Sequence, residues 1–393
     1  MMFLFVSNPT QVFMVRFRPS HPAAAHWACA YFFATCGVAY GTVMSRIPAI
    51  KGEVGLNEAE LGSALLCLGL GALTAFAGAG WAQTRIGSRP VLIFGGLAQL
   101  LAFPLVGLAE NLWSLALAFY VLGLFNGTTE AAMGTQAILV ERAAGRPRLS
   151  SLHALYSFGG LIGSLGGALL AGFTPLTHFC LVAVPALCPL PFAALRLLPD
   201  TPEPAREKRG FRAPPLPLLL LGFMALCCYA AEGTVGDWGA LLLHQFKGAS
   251  DRTAALAYAA FSATMAVCRL FGDRLRATYG DYALMRRLAV VATSGILLAL
   301  FSPWAAASLA GYALMGAGQS VIVPIVFSAV GRTSGMSTGS AVAVASAMGF
   351  GGLLLAPPLI GILAQAVGLD KALWVVVALY ACLIGGARLV RKN

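Results

Sequence analysis

Three carboxylates sit inside long apolar stretches of this chain: Glu130, Glu232 and Asp237. An ionisable group at membrane depth costs roughly 2.5–3.5 kcal/mol, so its presence needs a reason. One reason is proton carriage, because a desolvated carboxylate can load and release a proton near neutral pH. The other is structural, a buried acid held by Asn, Thr or backbone donors. Asn126 stands one turn before Glu130 and makes a polar stripe with Thr129 and Glu130. Glu232 falls near the middle of its apolar run, and Asp237 nearer the end, beside Trp238. On a regular helix residues 232 and 237 point about 140° apart. Gly233 and Gly236 bracket this stretch. A glycine-weakened segment that turns both acids toward one cavity is therefore expected.

Around these acids the same runs carry Tyr40, Asn126, Tyr156, Trp238 and Gln319, which are the expected solute contacts. Hydroxyls and amides satisfy a polar solute, and aromatic faces take its C–H surface, so a sugar or polyol suits such a lining. Tyr229 and Trp238 could form the aromatic wall, with Ser157 and Ser320 as further polar groups. His153 and Arg46 lie at run ends, as gating contacts or, for Arg46, an arginine reaching to the interface. The nine cysteines lie inside apolar runs without metal-ligand spacing and read as small hydrophobes. The phosphate-binding pattern G-x-x-x-x-G-K-[ST] is absent, and no nucleophile–base set stands out. The expectation is neither enzyme nor ATP-driven pump, with no metal and no cofactor.

The elements that position these groups must be membrane helices. The chain is 59% hydrophobic and 10% charged with mean hydropathy +0.80, against about 25% charged residues in soluble domains. Lipid must cover much of this surface. Roughly 20 apolar residues span a bilayer, and twelve such runs can be drawn. They lie near 26–47, 59–81, 90–109, 112–139, 152–173, 176–197, 215–243, 253–272, 286–304, 306–330, 337–364 and 371–388. The pair Pro357-Pro358 should kink or loosen the eleventh. The fold class predicted is all-α integral membrane: twelve transmembrane helices as two pseudo-symmetric six-helix bundles.

Residues 1–25 are then an N-terminal cytoplasmic segment, 26–197 the first bundle, 198–214 a Pro- and charge-rich linker, 215–388 the second bundle and 389–393 a tail. The opening residues do not resemble a cleavable signal, and Met14 is an alternative start. With the N-terminus inside, only Arg46, Lys51, Lys247, Arg252 and Lys371 of the 26 basic residues fall outside. Both termini are thus expected in the cytoplasm, at a bacterial inner membrane. The net charge of +11 belongs to this loop bias and not to nucleic acid. A monomer is expected.

An internal echo supports two similar halves. Gly41-Thr42-Val43, Gly80 and Phe158-Gly159-Gly160-Leu161 recur 192 residues later as Gly233-Thr234-Val235, Gly272 and Phe350-Gly351-Gly352-Leu353. Parallel repeats with a site between the halves are a transporter design.

The loop Gly80-Trp-Ala-Gln-Thr-Arg85-Ile-Gly87-Ser-Arg89 resembles the G-x-L-A-D-R-x-G-R-R loop of the major facilitator superfamily. Thr84 stands where that family usually has Asp, and Gly272-Asp273-Arg274 keeps an acid in the second half. The resemblance implies gating by Arg85, Arg89, Asp273 and Arg274, with the charge lock moved to Asp273. Ser45-Arg46-Ile-Pro48, Asn126 with Glu130, His153 to Gly160, and Glu232 to Trp238 are similar to the rhizopine-transport and fucose-permease-like branch. That resemblance puts proton coupling on the fourth-helix acid, Glu130. The expected function is alternating-access, proton-coupled movement of a small polar solute such as a sugar, inositol or amino-sugar derivative. Proton-coupled efflux of amphipathic or cationic compounds is the alternative. The Gly-Pro motif of drug–proton antiporters is missing from the fifth helix.

Overall fold

The computed structural model describes residues 22–144, 149–200, 213–332 and 338–391. The alternative start at Met14, most of the linker and the last two residues lie outside these ranges. Every regular element among the described residues is helical. The spans, numbered in chain order, are α1 (Pro22–Ser45), α2 (Glu58–Ile86), α3 (Ser88–Leu108), α4 (Leu112–Ala144), α5 (Leu149–Leu169) and α6 (Pro175–Leu187 with Leu190–Arg196). They continue as α7 (Leu216–Phe246), α8 (Asp251–Leu270), α9 (Asp281–Phe301), α10 (Ala305–Val330), α11 (Thr338–Val367) and α12 (Leu369–Val390). Eleven are long and apolar enough to cross a membrane; α6, bent by 41° at Cys188 and Pro189, makes the twelfth if its two pieces are one span.

With α6 counted as one span, the twelve antiparallel spans put Pro22 and Arg391 on one face, here called the basic face. Arg46, Lys51, Lys247, Arg252 and Lys371 lie at the opposite, far face. Local chemistry ends the helices where the loops begin. Asn57 and Glu60 form a reciprocal cap at the start of α2. Ser250 caps α8. Gly87 and Gly280, with φ of 82° and 72°, turn the chain into α3 and α9 at equivalent points of the two halves.

The internal echo becomes a packing rule. In the first half α1 packs on α5, α2 on α4 and α3 on α4; in the second half α7 packs on α11, α8 on α10 and α9 on α10. A side chain at Gly159 would strike the carbonyl of Ala34, and one at Gly352 the carbonyl of Leu226. Leu226 follows Ala34 by the echo's own spacing, whereas Gly352 follows Gly159 by one residue more. Between α2 and α4, and again between α8 and α10, the same longer spacing holds on both helices: Gly123 abuts the Leu68 carbonyl as Gly316 abuts that of Phe261. Small residues allow this approach where lipid gives no hydrophobic drive to pair helices. The echo of Gly80 in Gly272 has no such basis, since Gly80 faces open space and Gly272 meets Val321.

The halves meet through α2 against α11 and α5 against α8, a pairing that also repeats after six helices. Contact concentrates toward the far face. A Cβ at Gly62 would sit 2.6 Å from the Pro357 carbonyl oxygen, and one at Gly361 would sit 2.6 Å from that of Glu58. Lys51 pairs with Glu58 at 3.1 Å, and Gln245 donates to Glu58 across the halves at 3.3 Å. Toward the basic face the described contacts across the halves include Phe76 with Phe350, and Arg269 with Ser157. Gly78, Gly80 and Gly351 there have no neighbour within 4 Å of an added Cβ. On these contacts the halves pack more tightly toward the far face than toward the basic face. α11 stays helical through Pro357 and Pro358.

Each half pins its basic-face turn with an acid. Ser88 and Arg89 donate backbone N–H groups to Asp200 at 2.7 and 3.4 Å. In the second half Asp281 receives Arg276 at 2.9 Å and Arg332 at 3.7 Å, with the Asp281 side chain only 5% exposed. Asp281→Asn removes a buried charge that two cations share. Because both arginines are partly exposed, the expected loss is about 2 kcal/mol rather than the larger cost of breaking a fully buried pair. Melting in detergent checks this, and an unchanged midpoint would show that the cluster contributes nothing.

Candidate functional site

Between the halves, helices of both surround a polar centre inside apolar walls. The first-half part is a relay of side chains. The Cys36 thiol of α1 donates to the Gln99 Oε1 of α3 at 3.4 Å, and Gln99 Nε2 donates to the Asn126 Oδ1 of α4 at 2.9 Å. Asn126 also engages Glu130, one turn on, as the spacing predicts. Thr129, expected in the same stripe, turns its hydroxyl back to the Phe125 carbonyl.

The second-half part is organised by Gln319, where α10 is interrupted at Ser320 and Val321. Gln319 Nε2 donates to the Cys228 carbonyl at 2.9 Å and to Glu232 Oε2 at 3.3 Å, while its Oε1 accepts from the Tyr380 hydroxyl of α12. Both amide groups thus hold a carboxylate, one per half.

Two tyrosines lie within electrostatic range of a carboxylate from each half. Tyr156 of α5 lies within reach of both Glu130 and Glu232, and so does Tyr229 of α7. Tyr229 stacks on Phe350 at 6.0 Å between ring centres. Toward the far face Tyr40 and Tyr258 meet edge to face at 5.2 Å, and the Tyr40 hydroxyl comes within 2.6 Å of where a Cβ on Gly236 would be. Asp237, 6% exposed, lies within electrostatic reach of both of these tyrosines.

Several expectations need correction. α7 is one continuous helix through Gly233 and Gly236, so it is not weakened there. Glu232 faces Gln319, whereas Asp237 faces the Tyr40 side. Trp238 is fully buried, with its indole N–H unpartnered among the described residues, and does not line the centre. Gln319 is also fully buried, holding Glu232 rather than facing the opening. Arg46, 3% exposed, donates to the carbonyls of Leu170 and Phe173 after the end of α5, which suits a cation at a helix C-terminus.

At the basic face Arg85 is exposed and stacks over Trp81, 5.3 Å from the ring centre. Arg89 donates to the Ala194 carbonyl at 3.0 Å within its own half. Arg274 is exposed, and the Asp273 side chain lies outside the described groups, so the expected lock has no described geometry. His153 is exposed at the mouth, its ring edge-on to Phe33 at 5.1 Å.

The sequence reading missed Arg269, counted there as a loop arginine. It lies in the last turn of α8 and donates to the Ser157 hydroxyl of α5 and the Ser320 carbonyl of α10, both at 3.2 Å. Its charge also reaches Glu232 and His153. The signal was present: residue 269 falls within the apolar run drawn at 253–272. Gln99 and Tyr380 were missed as well, since only the fold brings them beside Asn126 and Gln319.

Paired six-helix halves with a buried polar centre between them define a membrane solute transporter. Residues 27–286 match the family described as Major Facilitator Superfamily. The chain belongs to that superfamily. It is 33% identical over 365 residues to an uncharacterized MFS-type transporter of Yersinia pestis, covering 92% of this chain and 94% of that one. To Membrane protein MosC of Rhizobium meliloti it is 30% identical over 361 residues, covering 89% and 86%. Among solved structures, a mutant of the nucleoside transporter NupG superposes with TM-score 0.75 over 94% of this chain and 100% of that one, at 13% identity.

Proposed function

We propose that this protein moves a small, polar, hydroxyl-rich solute, of the sugar, inositol or amino-sugar kind, in exchange with or alongside protons. The observation that carries the reading is one half-buried carboxylate from each half, Glu130 and Glu232, both within electrostatic range of Tyr156 and Tyr229. Hydroxyl groups of the tyrosines and the amide of Asn126 meet the solute, and the tyrosine rings take its apolar faces. Gln319 and Arg269 orient Glu232. Arg269 also ties α8 to α5, so a change of charge on Glu232 is felt where the halves meet. One structural neighbour is titled a nucleoside transporter, which fits a hydroxyl-bearing solute.

In this reading the access route alternates between the faces, residues 26–197 and 215–388 rock as units about the 198–214 linker, and the monomer suffices. The arginine bias places the basic face in the cytoplasm of a bacterial inner membrane. His153, Arg85, Arg89 and Arg274 stand at the cytoplasmic mouth, and Arg46 holds the far end of α5.

Purified protein in proteoliposomes tests this with a pH-sensitive dye and a panel of sugars, inositols, nucleosides and lipophilic cations. A hydroxyl-rich solute is expected to drive proton flux in protein-containing vesicles. Solute flux without proton flux removes the coupling, and flux elicited only by lipophilic cations replaces the solute class.

A further inference from the structure

The two halves carry equivalent surface grooves at the basic face. One is lined by Arg89, Pro90 and Ile93 of α3 with Ala194 and Leu195 of α6. The other is lined on α9 by Tyr282, Ala283, Arg286, Arg287, Val290 and Val291. Residues 282, 283 and 286 follow 89, 90 and 93 by the same spacing that relates Gly123 to Gly316, so the fold makes the groove twice.

Only the second groove is strongly basic. Arg89 in the first is already committed to the Ala194 carbonyl. In the second, Arg286 and Arg287 are exposed lining residues, and Arg388 of α12 lies close enough to the Tyr282 hydroxyl to act on it. The Arg287 guanidinium carbon stands over the Tyr279 ring, 4.9 Å from its centre. The acid closest in sequence, Asp281, is taken by Arg276 and Arg332. Two guanidinium groups thus line the groove with a third nearby, and one turn deeper the lining becomes Val290 and Val291.

We propose that this groove binds an anionic phospholipid, with the phosphate on Arg286, Arg287 and Arg388 and an acyl chain along Val290 and Val291. Guanidinium groups match phosphate oxygens in pairs, and basic pockets at the cytoplasmic ends of membrane helices hold anionic headgroups. A soluble anion would leave the apolar floor unused. This inference does not depend on the solute or on proton coupling.

Native mass spectrometry of the detergent-purified full chain, with phosphatidylglycerol or phosphatidylcholine added, tests it. Wild type is expected to retain phosphatidylglycerol in preference to phosphatidylcholine. Arg286→Gln with Arg287→Gln is expected to lower retention about 30-fold, since each surface arginine contributes about a factor of five. Arg286→Lys with Arg287→Lys keeps much of it and shows that the protein still folds. Arg142→Gln, an exposed arginine of α4 at the same face, is expected to leave retention unchanged. Equal loss in Arg142→Gln, equal retention of phosphatidylcholine, or full displacement by glycerol 3-phosphate would each overturn the proposal.

Discussion

Glu232→Gln is expected to abolish solute accumulation against a gradient while leaving solute exchange in place. Glutamine imitates the protonated carboxyl and can still accept the hydrogen bond from Gln319, so the shape of the centre survives. What it cannot do is gain and lose a proton. With one proton per solute, a difference of two pH units supports up to about 100-fold accumulation, because each unit is a factor of ten in proton activity. In Glu232→Gln proteoliposomes the ratio is expected to fall to one, with counterflow of labelled solute retained. Glu130→Gln is expected to do the same, since Asn126 and Gln99 hold that carboxyl in an equivalent frame. If both variants still accumulate solute, neither carboxylate carries the coupling proton.

Gly352→Leu is expected to prevent stable assembly, whereas Gly351→Leu, one residue away, is expected to be tolerated. An added side chain at 352 collides with the backbone of α7 at Leu226, and a helix backbone cannot step aside as a flexible side chain does. At 351 there is nothing within 4 Å. Overpacking of even one or two methylenes costs about 1–3 kcal/mol, and here the clash is with main chain. Gly159→Leu should reproduce the effect between α1 and α5, because the same kind of contact recurs there. The readout is the fraction of monodisperse protein and its melting temperature in detergent. Equal behaviour of the 351 and 352 variants would show that the close approach of α7 and α11 does not limit stability.

Much of the fold was legible because a bilayer imposes length and apolarity on every span. The run drawn at 306–330 is α10 at 305–330, and the run at 112–139 is the greater part of α4. The 41° bend in α6 was not anticipated, although Pro185 and Pro189 mark the place. The acid of the first half was legible with its partner because Asn126 and Glu130 are neighbours on one helix. Gln319 was picked out too, but as a solute contact. Its true position, wedged between Tyr380, Cys228 and Glu232, depends on three helices distant in sequence.

Gly233 and Gly236 show the opposite error. Glycines suggested an opened helix, but Gly236 lies opposite the Tyr40 hydroxyl and its lack of a side chain admits that ring. The glycine serves a neighbour rather than its own backbone. Arg269 was overlooked because charge counting assigns every arginine at a run end to a loop, and a long side chain can reach from within a span to groups on two other helices.

The far-face seal has a mechanical consequence. At Gly62 and Gly361 main chain rests on main chain, with no rotamer whose flicker could open a gap. A plug of long side chains leaks by thermal motion of its parts, one at a time, on the nanosecond scale. A seam of bare backbone parts only when whole helices separate. In the proposed alternating cycle, the state with this seam closed should thus behave as a stiff valve, nearly silent to ions and water until both halves move together, whatever the cargo.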